Sequence, residues 1–123
     1  MTDNVNHPAH YEANGPFECI ELTEQYDFCL GNAIKYVWRH MDKGHPVEDL
    51  SKALWYIQRE IDSIGGDYFP APMGTIRKLL TLSATDYAHM ADFWYAIYEG
   101  SLIDAKQEIQ TRINQLTENE DTK

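Results

Sequence analysis

The 123-residue chain is short of positive charge, of cysteine and of long apolar runs, and each shortage removes a class of function. Ten Lys/Arg stand against twenty Asp/Glu, a formal net charge of -10 with a pI near 4.7. The summed field repels nucleic acid and anionic membrane surfaces, so neither general nucleic-acid binding nor membrane association is expected. Cys19 and Cys29 have no Cys-x-x-Cys partner, which reads as two free thiols in a reducing compartment. No signal peptide and no run of about 18 apolar residues is present, and the expectation is a cytoplasmic protein. There is no Walker A sequence, no Gly-x-Ser-x-Gly and no His-Glu-x-x-His, so a P-loop, a nucleophile elbow and a zincin site are excluded. Long stretches of period-two alternation are missing too. The fold expected is all-α, a compact bundle of five or six helices with an extended N-terminal arm, in a single domain.

The few cations are not scattered. Residues 1–62 hold five Lys/Arg against eleven Asp/Glu, and all five cations lie between Lys35 and Arg59. At about 100° per residue, Asn32, Lys35, Tyr36, Arg39 and Lys43 fall within one arc of roughly 100°, while Ala33, Ile34, Val37, Trp38 and Met41 take the other side. From Glu48 to Asp62, Leu50, Ala53, Leu54, Ile57 and Ile61 make one stripe, with Glu48, Lys52, Trp55 and Arg59 opposite. The turn Lys43-Gly44-His45-Pro46 predicts that these helices fold back on each other, so that their polar faces flank one groove.

Around this hairpin, residues 1–16 read as a looped arm whose His7, His10 and Tyr11 rings contact a ligand in the groove or dock on the core. Phe17 to Phe28 predicts a short acidic helix ending at Cys29-Leu30-Gly31, with Glu18, Glu21 and Glu24 available to pair with the cations. Gly65-Gly66 and Phe69-Pro70-Ala71-Pro72 read as a linker between residues 5–64 and a C-terminal helical segment, 65–123. In that segment Ile76 to Leu82 predicts a helix, Ser83 and Asp86 a capping box opening a helix to about Tyr98, and Ser101 with Asp104 a second one. Tyr87, Phe93, Trp94, Tyr95 and Tyr98 spread so widely around that helix that a homo-oligomer is expected, with residues 84–116 in its interface. Asp86, His89 and Asp92 share the face and read as interface rather than catalytic residues.

Lys35, Arg39 and Lys43, with Asn32 a turn earlier, supply donors at one-turn spacing, suited to charge-assisted hydrogen bonds with a di- or triphosphate. Tyr36, Trp55 and Tyr56 offer flat faces to a nucleobase, each stacking contact being worth roughly 1–3 kcal/mol. Glu48 and Asp49 suit the positive end of a helix and are equally placed to hold an acceptor or a magnesium ion. His7, His10, His40, His45 and the two cysteines match no zinc spacing, and no metal site is expected from them.

The run Val5-Asn6-His7-Pro8-x-His10-Tyr11, then Glu18-Cys19-Ile20-Glu21, Phe28 to Tyr36, Trp38-Arg39, Glu48-Asp49-Leu50, Lys52-Ala53 and Trp55-Tyr56 resembles a small bacteriophage domain family, one branch of which is a nucleotide kinase. The resemblance spans residues 5–61 and stops before Gly65. It implies a phage protein acting in the host cytoplasm, with deoxynucleoside monophosphate kinase activity achieved without a P-loop. On that expectation Lys35, Arg39, Lys43 and Lys52 stabilise the transferring phosphoryl group, Asn32, His7, His10 and Tyr11 orient substrate, and Glu48 or Asp49 serves the acceptor or magnesium. Two other functions are compatible with the residues. One is a module that captures a nucleotide, such as a host signalling nucleotide, without chemistry; the other is an acidic inhibitor that imitates nucleic acid toward a host protein.

Overall fold

The computed structural model describes residues 15–42 and 44–121, and among them six α-helices and two 3-10 turns account for the regular structure. The helices are α1 (Cys19–Thr23), α2 (Phe28–Arg39), α3 (Pro46–Ile64), α4 (Ile76–Ala84), α5 (Ala91–Glu99) and α6 (Leu102–Asp121). The fold is all-α, as expected. The arm, with His7, His10 and Tyr11, and also Lys43, lie outside the described residues.

Local chemistry sets most of the boundaries. α1 opens on a reciprocal capping box, in which the Glu18 N–H donates to Glu21 Oε2 at 2.8 Å. It lasts five residues, shorter than the acidic helix expected. The expected break at Cys29-Leu30-Gly31 is instead the first turn of α2, because Asp27 Oδ1 accepts the Leu30 N–H at 3.0 Å and caps the helix there. A Cβ on Gly31 would stand 3.1 Å from the Thr23 carbonyl oxygen, so the missing side chain lets α1 press onto α2. α2 stops at Arg39. Met41, placed on the core side by helical periodicity, is therefore beyond the helix and 47% exposed. α3 begins with Pro46 at its first turn, followed by Glu48 and Asp49 near the positive end of the helix.

The capping box expected at Ser83 does not form. α4 runs through Ser83 to Ala84, and Asp86, Ala88 and His89 then take left-handed backbone angles in a 3-10 turn before α5. Asp86 caps across that turn, its Oδ1 accepting the Ala91 N–H at 3.0 Å. Ser101 does cap α6, accepting from the Asp104 N–H at 3.2 Å. The 65–72 segment is tied back rather than free: Phe69 N–H donates to Gly100 O at 2.9 Å and Leu102 N–H to Asp67 O at 2.7 Å, around an isolated bridge between Tyr68 and Ser101. Gly100 has φ +82, and a Cβ there would lie 2.8 Å from Phe69 O; only glycine accommodates both demands.

One buried cluster runs through both halves, from Leu22, Leu30, Ile34 and Val37 through Leu50, Ala53 and Ile57 to Leu79, Leu82, Phe93, Trp94, Ile97 and Ile109. α2 and α3 form the most extensive helix pair, with α6 laid on α3 and α5, and α4 on α5. This arrangement covers the rings expected to need a second copy. Phe93 and Trp94 are fully buried, Tyr87 and Tyr98 half-buried, and Tyr95 remains exposed. Trp94 meets Trp38 edge-on at 6.2 Å and donates its Nε1–H to Tyr87 O at 3.0 Å. The single chain thus covers Phe93 and Trp94 and leaves Tyr95 on the surface.

Candidate functional site: the cationic face of the α2/α3 hairpin

The polar faces of α2 and α3 meet on Tyr36. Its ring stacks on Tyr56 of α3, centroids 6.0 Å apart and planes 12° from parallel, and Phe28 adds an edge-on contact to Tyr56 at 5.9 Å. Three cations converge on the same ring: Lys35 Nζ at 4.6 Å from its centroid, the Arg39 guanidinium carbon at 4.8 Å and Lys52 Nζ at 5.5 Å. Each such contact contributes about 0.5–1 kcal/mol at an exposed position. The ring does not neutralise the charges, so they continue to repel one another.

Two carboxylates stand beside the three cations, and their surroundings differ. Arg39 Nη2 lies 3.8 Å from Asp49 Oδ1, the Arg39 side chain 37% and the Asp49 side chain 5% exposed. Asp49 Oδ2 and Arg39 Nε are buried without hydrogen-bond partners. At 3.8 Å this is a loose pair, so both groups keep hydrogen-bonding capacity toward a third participant. Glu48 is exposed and faces Lys52 at 3.9 Å, one turn along α3, an ordinary surface pair of small energetic value. Arg39 is thus joined to an acid of α3, a partner the sequence did not single out for it.

Trp55 lies at the outer edge, 58% exposed, with the Arg59 guanidinium over its ring at 5.5 Å and Tyr56 edge-on at 5.1 Å. Asn32 is a turn away from Tyr36 and spends its Nδ2 on Phe28 O at 2.8 Å. It lines, with Lys35, Phe28, Asp27, Glu24 and Ile20, an open cleft of about 190 Å³ between α1 and α2. Lys35 therefore borders both the cleft and the Tyr36 ring. Of the candidate residues within the described chain, Lys35, Tyr36, Arg39, Asp49, Lys52 and Tyr56 are brought together, Glu48 and Trp55 flank them, and Asn32 faces the neighbouring cleft.

Cys19 lies beneath this face. Burial pushes its thiol up to about 12, against the opposing pull of the Lys35 and Arg39 charges, so it is a packing group and not a nucleophile. Cys19 and Cys29 are both free thiols. Among the described residues no three His, Cys, Asp or Glu side chains are grouped to hold a metal ion, and no helix is long and apolar enough to cross a membrane.

Glu60 and Arg112 escaped the sequence reasoning, and His40 was weighed there only as a metal ligand. Glu60 is 2% exposed, and burial first, then the Asp27 carboxyl, pushes its own carboxyl up to about 7. Its position was available from periodicity, since residue 60 falls about 20° from Ala53 at the centre of the α3 stripe. His40 is fully buried between α2 and α6, Nδ1 on Val37 O at 2.6 Å and Nε2 accepting from Arg112 Nε at 3.3 Å. Arg112 also lines a polar cleft of about 120 Å³ with Asp86, His89, Asp92 and Glu108. The trio Asp86, His89 and Asp92 shares this cleft from the turn and α5, not one helix face.

Residues 5–58 match a protein family described as being of unknown function, DUF3310. The match takes in α1, α2 and most of α3, so it includes Lys35, Tyr36, Arg39, Asp49, Lys52 and Trp55 and ends before Arg59 and Glu60. No curated protein and no solved structure matches the chain.

Proposed function

We propose that this protein binds a nucleoside phosphate on the α2/α3 face and transfers a phosphoryl group there. The observation that carries the reading is the convergence of Lys35, Arg39 and Lys52 on the Tyr36 ring beside Asp49, within a chain of net charge -10. Three cationic donors around a flat ring match a polyphosphate, whose oxygens accept several charge-assisted hydrogen bonds at once. Trp55, exposed and beside Arg59, offers the stacking face for a base. In the reaction the cations stabilise charge on the transferring group. Asp49, with Oδ2 buried and unpartnered, takes the acceptor hydroxyl or a magnesium ion. A single protein carboxylate suffices for magnesium because phosphate oxygens and water complete its shell.

Thermal shifts across a panel of nucleoside mono-, di- and triphosphates test binding, with stabilisation expected to weaken as salt is added. No response to any member overturns the reading. Incubation of a nucleoside monophosphate with a triphosphate, read by separating the products, tests transfer. Binding without product leaves a nucleotide-capturing module, the second function compatible with the same face, as the surviving account.

A homo-oligomer of phage origin in the host cytoplasm belongs to the same proposal. Its support is apolar surface that one chain leaves uncovered: Met73, Ile76 and Leu80, at and just before α4, are 91%, 39% and 39% exposed. Light scattering that reports at least twice 14.2 kDa sustains the assembly, and a monomeric mass ends it.

A further inference from the structure

We propose that the cleft between α1 and α2 is a second nucleotide subsite, which takes the base of a nucleoside monophosphate and sets its phosphate against Lys35. The inference rests on the phosphoryl-transfer reading of the neighbouring cationic face and deepens it. Transfer between two nucleotides requires places for two bases. Trp55 offers one, and it lies outside the cleft, against Tyr56 and Arg59.

The walls of the cleft suit a flat ring. Ile20 on α1 and Phe28 on α2 line it while 57% and 74% exposed, and Gly31, buried beside them, has no side chain to fill the space. Single exposed apolar side chains are ordinary, but two bordering one concavity mark a place for a ligand. The volume of about 190 Å³ is below the roughly 300 Å³ of the smallest sites for drug-sized molecules. One ring system fits, and the sugar and phosphate must lie outside.

Charge fixes which way such a ligand lies. Glu24, at the end of α1, and Asp27, at the start of α2, stand at one end of the cleft. Lys35 stands at the other, about 12 Å from Asp27 along the axis of α2. The two acids repel a phosphate from their end. Lys35, with Nζ 4.6 Å from the Tyr36 centroid, opens instead onto the Arg39 and Lys52 charges around the same ring. Between the ends the walls offer acceptors. Asn32 donates its Nδ2 to Phe28 O at 2.8 Å, which leaves its Oδ1 to accept, and the Glu24 carboxylate has only acceptors to offer. A ring edge carrying N–H groups satisfies both, as a nucleobase does and a phenyl ring does not.

The test is NMR and calorimetric titration of the full chain with the monophosphates of adenosine, guanosine, cytidine and thymidine, beside inorganic tripolyphosphate, which carries phosphate and no ring. Cross-relaxation between the base protons of a bound monophosphate and the Ile20 methyls or Phe28 ring is expected; base contacts confined to Trp55 overturn the proposal. Phe28→Ala should weaken that monophosphate roughly five- to a hundred-and-fifty-fold, as lost stacking would, and leave tripolyphosphate affinity unchanged. Equal losses for the two ligands would mean that Phe28 acts through the Tyr56 stack, and they overturn the subsite. Should Phe28→Ala not fold, the wild-type contacts decide alone. Binding of a nucleoside triphosphate but of no monophosphate overturns the subsite and leaves the cationic face its ligand, whereas binding of neither removes both readings.

Discussion

Arg39→Ala separates a ligand-binding arginine from a structural one, because its two effects are repaired by different second changes. In the folded chain Arg39 Nη2 stands 3.8 Å from Asp49 Oδ1, and the Asp49 side chain is 5% exposed. Removing one partner of a fully buried pair costs about 3–5 kcal/mol and removing an exposed one about 0–1. This pair has one buried and one 37% exposed member at a long separation, so the loss of stability should fall between, at about 1–2 kcal/mol. If the same guanidinium holds a phosphate, affinity should fall by about 1.5–3 kcal/mol, roughly ten- to a hundred-and-fifty-fold in Kd. Adding Asp49→Asn to Arg39→Ala removes the stranded buried charge. Urea unfolding should then show stability returning toward wild type, while calorimetric titration with the nucleotide that best stabilises the wild type should show affinity still reduced. If affinity returns together with stability, Arg39 acts through the fold and the phosphate-binding argument for it is refuted.

Trp94→Ala should lower unfolding free energy by about 3–5 kcal/mol, as expected for a fully buried indole packed on Trp38 and Phe93; a loss under about 1 kcal/mol in urea unfolding would contradict that placement. Cys19 should resist alkylation in the native state at about pH 8, where a thiol held near 12 is thiolate in only about one molecule in ten thousand. Peptide mapping should find it modified only after unfolding. His40 should make the fold acid-sensitive: burial, and secondarily the Arg112 charge, hold its imidazole below 6.5, while the Val37 carbonyl and the charges of Asp49 and Asp42 oppose them. The stability it supports is therefore present above 6.5 and lost as pH falls. His40→Gln should flatten that acid limb in pH-dependent urea unfolding.

Two buried titratable groups, Glu60 of α3 and His40 just past α2, pull in opposite directions across overlapping pH ranges. Glu60 weakens the fold as pH rises from 4.5 toward 7, and His40 weakens it as pH falls below 6.5. The wild-type profile alone can look flat while both operate, so each variant must be read as a difference from wild type. Neither group's burial was read from the sequence, where His40 was weighed only as a metal ligand, and the reasons differ. Glu60 was visible in projection, within the α3 stripe, but a lone acid on an apolar face signals nothing until its partner is known. His40 lies just past the end of α2, where helical periodicity no longer applies. The same limit misplaced Met41, and local turn chemistry at Asp86 overrode the box expected at Ser83. The faces of α2 and α3 were legible because a 3.6-residue period fixes which side chains point inward whatever the neighbours are. Partnership across the faces was not, because it depends on the rotation and axial shift of one helix on the other, which the shared core sets. Hence Lys35, Tyr36, Arg39 and Lys52 could be placed on one polar surface from spacing alone, whereas the approach of Asp49 to Arg39 required the packed hairpin.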